Sequence, residues 1–97
     1  MPTFAYRILP QREDFVATIT PEEAAIMGEH FAYLSRLYDQ GQVVFVGRAE
    51  NGDYGIGVFN LPDEAAFDTV VAADPAVAAG VVRAEKHAFK VVFDRSA

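Results

Sequence analysis

Two side chains have the type and setting for proton chemistry. His30 lies within GEHFAYLSRL, a stretch that otherwise reads as an amphipathic helix. On a helical wheel at about 100° per residue, Ala24, Met27, Phe31, Leu34 and Tyr38 cluster, and His30 falls roughly 70° from the centre of that cluster. It is therefore a boundary residue beside Met27 and Leu34, on the adjoining stripe Ile26, His30, Tyr33, Leu37. An imidazole so placed suits a general base or acid near neutral pH. It can equally be a boundary histidine satisfied by a carbonyl or a water. Asp74 is as ambiguous. With Phe67, Val70 and Val71 it follows helical spacing, so it ends the apolar face of a helix. Followed by Pro75, it also fits the N-cap of a short new turn. The two readings are compatible, because a capping carboxylate beside a cleft can orient a histidine.

Other residues are candidates for binding. Arg48 ends a strand just before a turn, where it could meet an anionic substrate. Tyr6 and Arg7 on the first strand, and Tyr33 one turn from His30, could line a pocket. His87 reads as a packed or edge histidine. Two histidines, no cysteine and no HxxxH or HxxE spacing give no metal site. No P-loop, GxGxxG or nucleophile elbow is present, so phosphate cradling and a serine triad are not indicated.

The elements that must position these side chains follow from periodicity and punctuation. TFAYRIL (Thr3 to Leu9) alternates, with Phe4, Tyr6 and Ile8 on one face, and Pro10 ends it. QREDFVATI reads as a connecting loop with room for a short turn. Thr20-Pro21-Glu22-Glu23 is a capping box with proline at the first helical position. It starts a helix from about Pro21 to about Gln40, which Gly41 can close. Gln42 to Ala49 and Tyr54 to Leu61 read as strands joined by a turn at Asn51-Gly52. Gly55 and Gly57 share one face of the second, so something can approach closely there. Pro62 to Ala73 reads as a second helix and PAVAAG as a short turn. Val81 to Asp94 reads as a last strand, with Phe89, Val91 and Phe93 on one face. The order β-α-β-β-α-β predicts an α+β, ferredoxin-like βαββαβ fold: a four-stranded antiparallel sheet with both helices on one face. Apolar residues on the other face would call for a partner, most simply a second copy.

Composition bounds the function. At 97 residues the chain is one domain, and 52% hydrophobic residues allow a modest core. The net charge of −6, with no Lys/Arg cluster, argues against nucleic-acid or anionic-membrane partners. The N-terminus has no signal-peptide pattern and no apolar run reaches membrane-spanning length, so the expected location is cytoplasmic.

In combination, GEHFAYLSRLYDQGQVVFVGR, EAAFDTVVAADPAVAAGV and AFKVVF resemble the YciI-like (YCII-related) family. The most specific parts are H-x-x-Y-L-x-x-L-x-x-x-G at His30 to Gly41 and DP-x-x-x-A-G-V at Asp74 to Val81. The resemblance runs from about Phe4 to Phe93. It implies a ferredoxin-like domain that forms a homodimeric α/β barrel, and an active site built on a His–Asp pair, here His30 and Asp74. The sequence departs from the family pattern at Ala76, where a large aromatic is usual, and at Arg48, where proline is usual. The first change opens the pocket and the second suggests a substrate contact private to this chain. Related barrels include muconolactone isomerases, monooxygenases of aromatic polyketides and haem-binding peroxidases; within the group, a chlorinated hydroxyquinol is dehydrochlorinated. What the resemblance implies is thus a small cofactor-independent enzyme for a small-molecule substrate, with a lyase, dehydrochlorinase or isomerase step on a cyclic or aromatic compound. The rival reading is a non-catalytic ligand-binding or accessory dimer.

Overall fold

In the computed structural model, which describes residues 1–95, alternation along the first strand sets up the whole sheet. Strand β1 (Thr3–Pro10) pairs antiparallel with β3 (Gly55–Asn60) on one side and with β4 (Val82–Ala88) on the other. Strand β2 (Val43–Arg48) pairs antiparallel with β3, giving the order β2-β3-β1-β4. This is the ferredoxin-like α+β arrangement the element order predicts. Facing residues in an antiparallel pair share a side of the sheet. Phe4 opposes Phe59, Tyr6 opposes Gly57 and Ile8 opposes Gly55, so these six lie on one face. Arg7, Ile56 and Glu85 lie on the other.

The first face is covered by α2 (Pro21–Asp39) and α3 (Glu64–Ala73), with the single-turn helices α1 (Phe15–Thr18) and α4 (Pro75–Ala78) beside them. Phe4, Tyr6 and Phe59 from the sheet meet Leu34 and Leu37 from α2 and Phe67, Val70 and Val71 from α3. Phe4 stacks on Phe67 at 4.9 Å and Tyr6 on Phe59 at 5.4 Å between ring centroids. A smaller cluster of Phe15, Ala76, Val81 and Val82 anchors α1, the one ordered turn in the segment that reads as a loop. The capping box at Thr20 forms in full: its hydroxyl accepts from the Glu23 N–H and the Glu23 carboxylate accepts from the Thr20 N–H.

Two expectations are corrected. The inward face of α2 is centred on His30 rather than on the Phe31 stripe. His30, Leu34 and Leu37 are buried, while Phe31 is 51% and Tyr38 64% exposed. Apolar spacing registers only the preference of carbon for the interior, and a histidine whose Nδ1 is paired with a buried carboxylate is as well housed there. The last strand ends at Ala88 rather than Asp94, leaving Phe89, Val91 and Phe93 outside it. Its partner strand begins at Thr3: Ala88 faces Phe4, the Phe89 N–H donates to the Thr3 carbonyl, and Pro2 has no N–H with which to carry the ladder further. No helix among the described residues is long and apolar enough to cross a membrane.

Candidate functional site

Asp74 occupies the break between α3 and α4. Pro75 biases the preceding residue toward extended backbone, and Asp74 has φ −62° and ψ 120°. Its Oδ1 accepts the Ala76 N–H at 2.9 Å, the N-cap bond its sequence context predicts. The same carboxylate takes three further contacts. His30 Nδ1 lies 2.8 Å from each oxygen, and the Tyr6 hydroxyl donates to Oδ2 at 2.7 Å. All three residues are buried: Asp74 is 0%, Tyr6 2% and His30 3% exposed. Three elements therefore converge on one carboxylate, His30 from α2, Tyr6 from β1 and the Ala76 N–H from α4.

The charge state follows from the donors. Burial pushes the Asp74 carboxyl up. The His30 hydrogen bond and charge, the Tyr6 hydroxyl and the Ala76 N–H outweigh it, so the group sits below its ordinary value. Burial, reinforced by the Asp74 charge and the hydrogen bond to it, raises the Tyr6 phenol far above its ordinary value. Near neutral pH the centre is a carboxylate with a phenol donating to it. An ionised carboxylate only accepts, so the facing Nδ1 carries the ring hydrogen and the lone pair of the neutral imidazole is on Nε2. Among the described residues Nε2 has no protein partner, and no sealed side-chain nitrogen or oxygen is left unpaired. Nε2 therefore opens on the cavity that His30 lines.

That cavity holds about 270 Å³ between α2 and the sheet. Gly55 and Gly57 are in its wall, opposite Ile8 and Tyr6 in register. A Cβ at Gly57 would lie 2.7 Å from the Phe59 ring, so glycine is what keeps this wall flat without displacing a core aromatic. Met27, Phe31 and Leu34 face it from α2, Val46 and Arg48 from β2, and Phe15, Val16 and Ile19 close one end. The lining is mostly apolar with a few polar groups, the usual character of a small-molecule site.

Of the residues expected in the site, His30, Tyr6 and Arg48 line the cavity, and Asp74 stands directly behind His30. Arg7 and Tyr33 do not line it. Arg7 is an odd-numbered position on β1 and points to the opposite sheet face, where it pairs with Glu85 at 2.8 Å and lies over the Tyr54 ring. The Tyr33 hydroxyl donates to the Val70 carbonyl at 2.7 Å and ties α2 to α3. Phe31, which reads as core, instead borders the cavity, its ring edge-on to His30 at 5.1 Å. The bond from Tyr6 to Asp74 joins positions 68 apart in the chain, and the sequence signal for it is only that Tyr6 alternates onto the sheet face with Phe4 and Ile8. No group of three or more His, Cys, Asp or Glu side chains among the described residues could hold a metal ion.

A family model described as the YCII-related domain matches residues 4–86. Among solved structures, muconolactone isomerase is similar at 14% identity and TM-score 0.72, covering 96% of this chain and 94% of that one. So is the 5-chloro-2-hydroxyhydroquinone dehydrochlorinase of Burkholderia phenoliruptrix in complex with 2,5-dihydroxybenzoquinone. It aligns at 14% identity and TM-score 0.69, over 91% of this chain and 93% of that one. At this identity the likeness is one of fold. No curated protein matches the sequence significantly.

Proposed function

The chain belongs to the YCII-related domain family, and from that premise we propose that it is a cofactor-independent enzyme moving a proton on a small cyclic or aromatic compound. One observation carries this reading: Asp74 holds Nδ1 of His30 while Nε2 opens, unpartnered, on an apolar cavity. Nε2 takes a proton from a C–H or O–H of the bound compound. The imidazolium that forms keeps its Nδ1–H on the Asp74 carboxylate. The ion pair is thus complete only as the proton arrives, which favours the transition state over the ground state.

Two outcomes balance. In an elimination, the C–H electron pair becomes a new double bond and the leaving group departs with its own pair. In an isomerisation, His30 returns the proton to another carbon of the same molecule. The activities named for the two structural neighbours, a dehydrochlorinase and an isomerase, fall one in each class. The proposed working form is a homodimer. Phe31, Tyr38, Phe45 and Val46 are 51%, 64%, 49% and 41% exposed, and a second copy would remove apolar surface of this kind from water. Sedimentation velocity giving twice the monomer mass supports this part, and a monomer at working concentration would remove it.

The experiment is turnover and solvent-deuterium incorporation with 5-chloro-2-hydroxyhydroquinone and muconolactone as first substrates, then other ring compounds. His30→Ala is expected to lose about 10²- to 10⁴-fold in kcat. Turnover undiminished in His30→Ala would overturn the proposal. Ligands that bind without ever exchanging a proton would favour the non-catalytic reading.

A further inference from the structure

We infer that the cavity is selective for a planar, monocyclic organic anion, with Arg48 as the group that pairs with its charge. This rests on the proton-transfer reading of the site and names the class of molecule it would take.

The first support is the state of the other polar groups in the wall. The Tyr6 hydroxyl is committed to Asp74, and Tyr54, whose ring meets the Arg7 guanidinium at 5.4 Å, brings a hydroxyl but no cation to the wall. Asp74 itself is sealed behind His30 and does not face the cavity. The described lining contains no carboxylate and one formal cation, Arg48. Arg48 uses a single nitrogen, Nη1, on the carbonyls of Ala49 and Glu50 at 3.3 and 3.1 Å. Among the described residues Nη2 and Nε have no protein partner, and that edge of the guanidinium has the two-pronged geometry that matches a carboxylate.

Register supplies the second support. Arg48 faces Gly55, which faces Ile8; Val46 faces Gly57, which faces Tyr6. Arg48 is thus two strands and two residues away from Tyr6, on the same sheet face. With strands about 4.8 Å apart and residues about 3.4 Å apart, the two α-carbons are separated by about 12 Å. The buried glycines 55 and 57 lie between them. One six-membered ring with a carboxylate fits that span: the ring over the glycine wall, the charge toward Arg48, a ring substituent toward His30. In a chain of net charge −6, a cation at the cavity mouth also offsets the general repulsion of an anion.

The test is equilibrium binding, so it is independent of turnover. The amide signals of Gly55 and Gly57 are followed by NMR while 4-hydroxybenzoate or its neutral analogue 4-hydroxybenzamide is added. Wild type is expected to bind the benzoate roughly tenfold or more tightly than the benzamide. Arg48→Gln is expected to abolish that preference by weakening the benzoate, while Arg48→Lys keeps part of it. Equal binding of the two probes by wild type overturns the inference, as does a preference that survives in Arg48→Gln. So does failure of the benzoate to move the glycine signals. If the preference is absent but His30→Ala still abolishes turnover, proton transfer stands and only the anionic substrate class falls.

Discussion

Replacing Tyr6 by Phe isolates one hydrogen bond in the buried centre. The ring remains to stack on Phe59 at 5.4 Å and to meet Phe67 at 6.1 Å, so no core cavity opens. What is lost is the hydroxyl that donates to Asp74 Oδ2 at 2.7 Å. A hydrogen bond to a charged group contributes about 1.5–3 kcal/mol, against about 0.5–1.5 kcal/mol for one between neutral groups. The cost should therefore depend on whether Asp74 is ionised. In the wild type its folded value is lowered, so it adds stability above the unfolded carboxylate value of about 3.9, and this is lost as pH falls through the folded value. Removing the Tyr6 donor leaves burial in place and takes away one of the groups that offset it, so the folded value climbs.

The destabilisation of Tyr6→Phe should then be about 1.5–3 kcal/mol at pH 7. It should shrink below about pH 4 toward the neutral-bond figure. Urea unfolding of both proteins at one fixed concentration, from pH 2.5 to pH 7, reads it directly. A cost below about 0.5 kcal/mol at neutral pH, or one that stays flat with pH, would refute the claim that this phenol stabilises an ionised Asp74.

The centre and its wall yield further expectations. Asp74→Asn keeps the shape but places an amide donor among the His30, Tyr6 and Ala76 donors. Stability should fall by about 1–3 kcal/mol, and kcat by about 10²-fold or more, read by denaturation and by steady-state kinetics on the substrate found with wild type. Activity equal to wild type would separate the carboxylate from the chemistry. Gly57→Ala puts a methyl 2.7 Å from the Phe59 ring, so overpacking should cost about 1–3 kcal/mol in a urea melt. An unchanged midpoint would mean that the ring moves freely and the flat wall is not enforced.

How much of this was legible in the sequence depended on the physics each feature uses. Strand alternation at Phe4, Tyr6 and Ile8, the Thr20 capping box and the Asn51-Gly52 turn are local, and they gave the fold and its element order. The roll of α2 about its axis was not legible. Counting apolar residues favours burying Phe31 and Tyr38, whereas the fold turns His30 inward, where Asp74 from the far half of the chain meets it. The end of β4 depends on where β1 starts, which its own alternating residues cannot reveal. Arg7 and Tyr6 are neighbours of opposite parity, so only one of them could face the cavity. The pleat gives the cavity to Tyr6 and sends Arg7 to Glu85.

The Asp74-Pro75 break ties local chemistry to the site. Pro75 has no N–H to continue the ladder of α3 and keeps Asp74 extended, which turns its side chain toward Ala76, His30 and Tyr6 together. A helical Asp74 would lose the Ala76 bond and point elsewhere. Pro75→Ala tests whether the proline does more than stiffen the chain. Added freedom in the unfolded state alone costs roughly 0.4–1 kcal/mol. If Asp74 relaxes toward helix as well, the loss measured in urea should exceed that range, and the His30 ring signals should move. A loss confined to the entropic range, with the His30 signals unmoved, would mean that the contacts of His30 and Tyr6 hold Asp74 in place without help from the proline.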